Sequence, residues 1–230
     1  MKYTKKLQLC ALTGGIVCAG LRLVLFRKYL DAMGLLQTGT ALEGAVCLLT
    51  AVCLIGFAMA ARRLPQEAPS GAAAPGRLAG GLGIALAALC RTGAMAGPVG
   101  WLWKILGFAA GAGLICSAAG KWRKKSVPFL LELAPCLFFL VHLIDHYRGW
   151  SAQPQPEEYV FDLLAIAFLT LLSYERAAGA AGLGKPKMRA FFGLCAGSLC
   201  LAAIPGTADF APMYLLCALW ALTDLSEKTE

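Results

Sequence analysis

The sequence predicts an all-α, polytopic transmembrane helix bundle of about eight spans, and two observations support this fold class. Hydrophobic residues make up 59% of the 230 positions and charged residues 15%, whereas soluble domains average roughly 45–50% and about 25%. Uncharged runs such as 44–61 and 190–208 approach the roughly 20 residues that a helix needs to cross about 30 Å of hydrocarbon. A membrane β-barrel would need alternating ten-residue strands, and no such alternation occurs.

Eight helical spans fit the apolar pattern, with ends defined to within a few residues. The predicted spans are 7–26, 40–61, 78–96, 99–120, 127–147, 158–178, 188–204 and 208–225. Pro98 divides the third span from the fourth, and Pro205 divides the last two, because proline cannot continue a helical hydrogen-bond ladder. If either hairpin were one kinked or re-entrant element, the count would be seven or six.

The N-terminal segment and one linker complete this single transmembrane domain. Basic residues followed by an apolar run have the form of a signal peptide, but Arg22 lies inside the run and no clear A-x-A cleavage site follows. We therefore expect a retained first span. Residues 62–77 contain a Pro-, Ala- and Gly-rich stretch and are predicted to form a cytoplasmic linker.

The distribution of Lys and Arg predicts the orientation. With both termini in the cytoplasm, most of the 21 Lys and Arg residues lie on the cytoplasmic side, and only Arg27, Lys28 and Arg148 lie outside. Arg77, Arg176 and Arg189 are among those assigned to the cytoplasmic side. Such an excess is typical of cytoplasmic loops. The net charge of +8 is therefore assigned to the inner rim, where it predicts contacts with anionic lipid head groups and requires no nucleic acid. The residues predicted to make these contacts are Lys121, Arg123, Lys124 and Lys125.

The cysteines and one glycine-rich motif give no sign of a cofactor. All ten cysteines lie in apolar runs and no C-x-x-C motif occurs, so we interpret them as small packing residues. Gly179 to Lys185 matches G-x-x-x-x-G-K, but Pro186 stands where Ser or Thr would hold magnesium and no strand precedes it. We expect Gly182 and Gly184 to end the sixth helix. The sequence carries no catalytic signature, which disfavours an enzyme.

Ionisable residues within the spans predict a polar cluster in the outer half of the bundle. A charge at the bilayer centre costs roughly 2.5–3.5 kcal/mol, so such groups usually face the bundle or a wet cavity. Small residues share a helix face with Arg22, Arg91 and Lys104, which predicts that these side chains point at neighbouring helices. The predicted members of the cluster are Arg22, Glu43, Arg91, Lys104, His142, Asp145, His146 and Asp162.

Three interpretations of this cluster remain open. The basic members can pair with Glu43, Asp145 and Asp162 as interhelical salt bridges. They can instead line an outward-open vestibule for a polar or charged solute, or snorkel to the outer interface. If the cluster is functional, changing Asp145 or Asp162 to Ala should impair function or folding more than changing Glu157 or Glu158.

His142 and His146 are four residues apart and therefore lie on one helix face. This spacing can place two imidazoles on one metal ion, with Asp162, Glu43 or Asp145 as further ligands, although the motif is not H-E-x-x-H. Proton or pH sensing and ordinary hydrogen bonding are the alternatives.

The second half of the chain carries a set of aromatic and glycine motifs. They are Tyr147-Arg148-Gly149-Trp150-Ser151, the Pro154-Gln155-Pro156 loop, Tyr159-x-Phe161-x-Leu163-Leu164-Ala165, Tyr174-x-Arg176-Ala177-Ala178 and Gly182-Leu183-Gly184. In these motifs residues 145–190 resemble a group of uncharacterised bacterial multi-span membrane proteins. The resemblance implies a multi-pass protein of a bacterial cytoplasmic membrane and implies no activity.

These observations predict a small transport-type or solute-binding membrane protein with a polar site in the outer half of the bundle. The alternative is a non-catalytic accessory or scaffold subunit, partnered with another membrane protein, in which the charges are structural salt bridges. A solute-binding protein should be stabilised thermally by its solute.

Overall fold

A computed structural model describes residues 2–29, 40–63, 73–90, 98–123, 128–150 and 159–224. Within these ranges the chain forms eight α-helices, which confirms the predicted all-α helix bundle. The helices are α1 (Lys2–Lys28), α2 (Ala41–Arg63), α3 (Ala73–Cys90), α4 (Pro98–Trp122), α5 (Phe129–Trp150), α6 (Val160–Ala180), α7 (Pro186–Ala203) and α8 (Ala211–Asp224). Two short 3-10 turns, Ile204–Gly206 and Ala208–Phe210, connect α7 to α8.

Five of these helices are long and apolar enough to cross a membrane, namely α1, α2, α4, α5 and α7, and α3 and α8 are shorter apolar helices. Their outer faces expose large apolar side chains, including Leu48 and Val52. On α4 the exposed Trp101 and Trp122 lie about 30 Å apart at 1.5 Å per residue, close to the thickness of the hydrocarbon core. Interfacial tryptophans at that separation fit a helix that crosses the bilayer. The chain is thus a helical membrane protein.

Six of the helices close into a ring. Each of α3 to α7 packs on the next helix in the chain, and α8 packs back on α3. Helices α1 and α2 lie outside this ring, against α7. Gln8 Nε2 donates a hydrogen bond to the Leu222 carbonyl (2.7 Å), so the start of α1 and the end of α8 lie together. We call this the terminal end of the bundle, and the other the opposite end.

Small residues let the helices approach closely, as predicted from the sequence. A Cβ on Gly81 of α3 would lie 2.8 Å from the Gly111 carbonyl oxygen of α4. A Cβ on Gly15 of α1 would lie 2.8 Å from the Ser198 carbonyl oxygen of α7. The faces that carry these glycines are therefore in direct backbone contact with the neighbouring helix, as in other membrane bundles.

Helix α3 begins earlier than predicted, and helix α6 ends in the predicted turn. Helix α3 begins at Ala73, five residues before the predicted span, so the last part of the predicted 62–77 linker is helical. Pro75 stands in the first turn of α3, where a proline costs no helical hydrogen bond. Helix α6 ends at Ala180, followed by Gly182 with φ +76°, which confirms the predicted helix-ending turn.

Candidate functional site

A buried carboxylate at the opposite end joins three helices of the ring. Asp162, in the first turn of α6, is 2% exposed. Its Oδ2 lies 3.3 Å from Nδ1 of His146 on α5, and its Oδ1 accepts a hydrogen bond from the Tyr214 hydroxyl on α8. Both oxygens of the carboxylate therefore face a polar partner, as a buried charge requires.

His142 lies one turn before His146 in an aromatic environment. It is fully buried, and its Nδ1 accepts a hydrogen bond from Trp103 Nε1 on α4 (3.0 Å). Its ring stacks on Phe138 at a centroid distance of 5.7 Å and meets Phe210 at 4.9 Å. The two imidazole centroids are 4.1 Å apart, so the predicted shared face of the two histidines is real.

Arg22 of α1 approaches this group from outside the ring. It is buried, and its Nη1 donates to the Ala202 carbonyl of α7 (2.5 Å). Its Cζ lies 4.4 Å from the ring centroid of Phe161, the residue before Asp162. Arg22 therefore reaches the edge of the group through an aromatic ring. We call Arg22, His142, His146, Asp162 and Tyr214 the opposite-end cluster.

Of the other four predicted members, the structure describes three, and it places these three outside the contacts given above. Lys104 Nζ lies 6.0 Å from the ring of the exposed Trp101, which fits snorkelling to the interface. Asp145 is half-buried and makes no ion pair or hydrogen bond within the described part of the chain. Glu43 begins α2, which packs on α1 and α7 rather than in the ring. Arg91 lies outside the described residues.

One ring nitrogen of His142 is unavailable to a metal ion. Nδ1 of His142 accepts the Trp103 N–H, so this nitrogen cannot also donate its lone pair to a metal. Within the described ranges, no group of three or more His, Cys, Asp or Glu side chains is placed to hold a metal ion. A metal site on His142 and His146 therefore finds no support in this arrangement.

A second buried polar group lies at the terminal end, and it was not predicted from the sequence. Each of the six ring helices contributes one side chain to it. Its members are Arg77 (α3), Ser117 (α4), Glu132 (α5), Arg176 (α6), Arg189 (α7) and Asp224 (α8). All but Arg189 are buried, and the side chain of Arg189 is 13% exposed. We call these six residues the terminal-end network.

Arg176 is the centre of this network. Its Nη2 donates to Glu132 Oε2 (2.8 Å) and to Ser117 Oγ (3.2 Å), and its Nη1 lies 3.4 Å from Asp224 Oδ1. The planar guanidinium can serve several partners at once, which an ammonium group cannot do with the same geometry. The Arg176 Cζ also lies 5.4 Å from the ring centroid of Trp220.

The remaining contacts close the network around α3 and α7. Arg77 Nη1 donates to Ser117 Oγ (2.6 Å), and Ser117 Oγ donates to Glu132 Oε1 (2.5 Å). Arg189 Nε donates to Asp224 Oδ2 (2.7 Å). A buried charge pair of this kind is costly to break, because removing one partner leaves the other charge buried without compensation. The network can therefore hold the six ring helices in register.

This second group corrects two expectations. The charges within the helices are not confined to one level of the bundle, because they are split between its two ends. Arg77, Arg176 and Arg189, which were assigned to the basic cytoplasmic side, are packed inside the ring or at its edge.

A sequence signal for the terminal-end network existed on α6. Asp162, Leu169 and Arg176 are spaced by seven residues and therefore lie on one helix face, and Leu169 is fully buried. Arg176 could have been placed on the buried face for that reason. Tyr214 had no such signal, because its neighbours in the sequence are apolar, and Trp103 resembled an interfacial aromatic.

Comparison with protein-family models, with curated proteins and with solved structures finds no match to this chain. Its class therefore rests on its own fold, an α-helical membrane bundle whose described residues include a buried polar group at each end.

Proposed function

We propose that the chain is a small transport-type or solute-binding membrane protein whose polar site is the opposite-end cluster. The observation that carries this proposal is the buried carboxylate of Asp162, which faces His146 and Tyr214 from two other helices. Ionisable groups buried within membrane helices are costly, and they commonly mark solute or ion pathways. A bundle that needed only apolar packing would not require them at this end.

We also propose how the bundle is oriented in the membrane and in which membrane it lies. The excess of Lys and Arg in the predicted cytoplasmic loops supports termini in the cytoplasm. In this proposal the opposite end faces outward, in a bacterial cytoplasmic membrane that all eight helices cross. The basic loop after α4 contacts anionic lipid head groups. Of its residues, Arg123 is exposed and Lys121 is half-buried, whereas Lys124 and Lys125 lie outside the described residues.

Thermal stabilisation of the purified, full-length protein tests solute binding. A panel of amino acids, organic acids, amines and sugars is added to wild type and to Asp162→Asn in detergent. Binding to the folded state raises the apparent Tm, by a free energy that grows with the logarithm of solute concentration. At least one solute should raise the Tm of wild type and lose most of that effect in Asp162→Asn.

Glu175→Gln is the matched control, because Glu175 is a half-buried acid on the same helix. It lies near the terminal end, where its Oε2 accepts the Lys185 N–H (3.0 Å). It should keep the full response of wild type. A solute whose effect is lost equally in both variants would not bind at the opposite-end cluster.

The terminal-end network favours a second candidate function, that of an accessory or scaffold subunit. Its ion pairs and the hydrogen bonds of Ser117 connect six helices and have a structural role without any solute. A panel that produces no shift, together with stable co-purification of a second membrane protein, would support the scaffold and contradict solute binding.

A further inference from the structure

A small cavity lies outside the ring of helices, where α1, α2 and α7 meet. Its volume is about 10 Å³, which is roughly the room that one water molecule or one ion needs. Four of the side chains that line it carry a thiol or a hydroxyl group: Cys18 of α1, Thr50 and Cys53 of α2, and Ser198 of α7. A cavity lined by polar atoms holds a polar or charged occupant, whereas an apolar one stays dry.

The two thiols of the cavity come from different helices. Cys53 Sγ lies against the backbone of α1 at Gly14, where an added Cβ would be 3.3 Å from the sulfur. Cys18 follows Gly14 by four residues and therefore lies on the same face of α1. Its Sγ is 3.7 Å from Oγ1 of Thr50, which lies one turn before Cys53 on α2. The two sulfurs therefore approach the same cavity from opposite helices.

The chemistry of the two thiols determines which class of occupant fits. Deprotonated cysteine sulfur is a soft ligand that selects soft ions such as Cu(I). Cu(I) and Ag(I) form stable complexes with two thiolates, whereas a structural zinc site takes four ligands. Within the described part of the chain, no group of three or more His, Cys, Asp or Glu side chains can hold a metal ion. A soft monovalent ion is the metal class that needs no third ligand.

A positive charge is already present beside the cavity. A monovalent ion between two thiolates forms a complex with one negative charge, which is costly inside a membrane bundle. Arg22 is buried and lies one turn after Cys18 on α1. Its Nη1 donates a hydrogen bond to the carbonyl of Ala202, a residue that lines the cavity. The guanidinium therefore offsets the charge of the complex at short range.

We propose that Cys18 and Cys53 form a binding site for a soft monovalent metal ion such as Cu(I). The ion enters as a monocation, forms one bond to each sulfur and displaces the two thiol protons to the solvent, so that its oxidation state does not change. Cys53 is half-buried, which gives the ion a way in from the surface of the bundle. From the sequence both residues were interpreted as packing residues, because the contact between α1 and α2 that brings them together has no motif.

Chelator-buffered copper tests this site in the purified, full-length protein. The protein is dialysed in detergent, without oxygen and with ascorbate, against Cu(I) held by an excess of bathocuproine disulfonate, so that isolated thiols stay unloaded. Wild type should retain one copper ion per chain in elemental analysis, and the bound ion should raise its Tm. Cys18→Ser and Cys53→Ser replace the soft sulfur with a hard oxygen of similar size. Each should lose the copper and the Tm response.

Cys10→Ser is the matched control. Cys10 is exposed and lies four residues before Gly14 on the same face of α1, but it does not line the cavity. This variant should retain the copper of wild type.

X-ray absorption at the copper edge of wild type is a second measurement, and it does not depend on the folding of any variant. It should show two sulfur ligands and no nitrogen ligand. The proposal is overturned if wild type retains no copper, if Cys18→Ser or Cys53→Ser retains it, if Cys10→Ser loses it, or if the spectrum shows another ligand set. The site lies apart from the carboxylate of Asp162, so the solute panel and the copper experiment can fail independently.

Discussion

Ser117 shows how one small side chain can determine the behaviour of a buried charge network. A serine hydroxyl has one donor and two acceptor positions, and all three are used here. Ser117 Oγ accepts from Arg77 and Arg176 and donates to Glu132. It therefore lies between two guanidinium groups and a carboxylate, so that it separates the two cations while bonding both.

Replacing Ser117 with Ala should destabilise the protein by about 1–3 kcal/mol, because buried charged partners lose a hydrogen bond that no water replaces. The matched control is Ser173→Ala. Ser173 is equally buried, but its hydroxyl bonds only the Leu169 carbonyl of its own helix (2.7 Å). Thermal unfolding in detergent should show a clear fall in Tm for Ser117→Ala and a much smaller one for Ser173→Ala. Equal effects would mean that the network contributes no more than a local hydrogen bond.

Residue-level reasoning from the sequence singles out positions where a charge interrupts an apolar face. His142, His146 and Asp162 were found because ionisable groups are rare within membrane spans. Arg77 and Arg176 were missed because basic residues near helix ends usually belong to the cytoplasmic rim. Their burial depends on Glu132 and Asp224, whose positions on other helices cannot be known until the ring of helices is known.

Helix α3 is held between two neighbours by its glycines. A Cβ at Gly81 would lie 2.8 Å from the Gly111 carbonyl oxygen and 2.9 Å from Ile115 Cγ1, both on α4. On the side facing α8, a Cβ at Gly80 would lie 2.8 Å from Trp220 Cβ. Closely packed helices of this kind gain their stability from van der Waals contact. The short helix α3 thus completes the ring because its backbone packs closely against α4 and α8.

Gly81→Ala should therefore destabilise the bundle by about 1–3 kcal/mol, the usual cost of overpacking a close contact. Gly56→Ala on α2 is the control, since a Cβ at Gly56 has nothing within 4 Å. There the higher helix propensity of alanine predicts no loss and a gain of up to about 1 kcal/mol. Unfolding by heat or denaturant in detergent measures both changes. A neutral Gly81→Ala would show that the α3–α4 contact is not tight.

At the scale of elements, the eight helices and their order were predicted by apolar runs and by two prolines. The start of α3 was missed because Pro75 and Gly76 were interpreted as linker residues. Gly76 is in fact required at its position, since a Cβ there would collide with Thr223 of α8. The sequence alone could not show this, because the reason for a glycine in a helix lies in the helix that it touches.

The whole molecule has two polar layers with an apolar layer between them. Along α6, Asp162 and Arg176 are about 20 Å apart at 1.5 Å per residue, and Ile166, Leu169 and Leu172 between them are fully buried. The order of helices around the ring brings the members of each layer together. From the sequence, only the layer that contains the histidines was predicted. The terminal-end network was not, because its arginines were assigned to the basic cytoplasmic side.

The contact between Gln8 and Leu222 also predicts that the two termini of the chain lie on the same side of the membrane. Because the start of α1 and the end of α8 lie at one end, both termini should be on the same side, and the Lys- and Arg-rich loops assign that side to the cytoplasm. A fluorescent protein fused to the C-terminus should therefore fluoresce in bacteria, whereas alkaline phosphatase fused there should be inactive. Phosphatase inserted between α1 and α2, at residues 30–39, should be active and serves as the control. An active C-terminal phosphatase would put the terminal end of the bundle outside, and the opposite-end cluster could then no longer be assigned to the outer side.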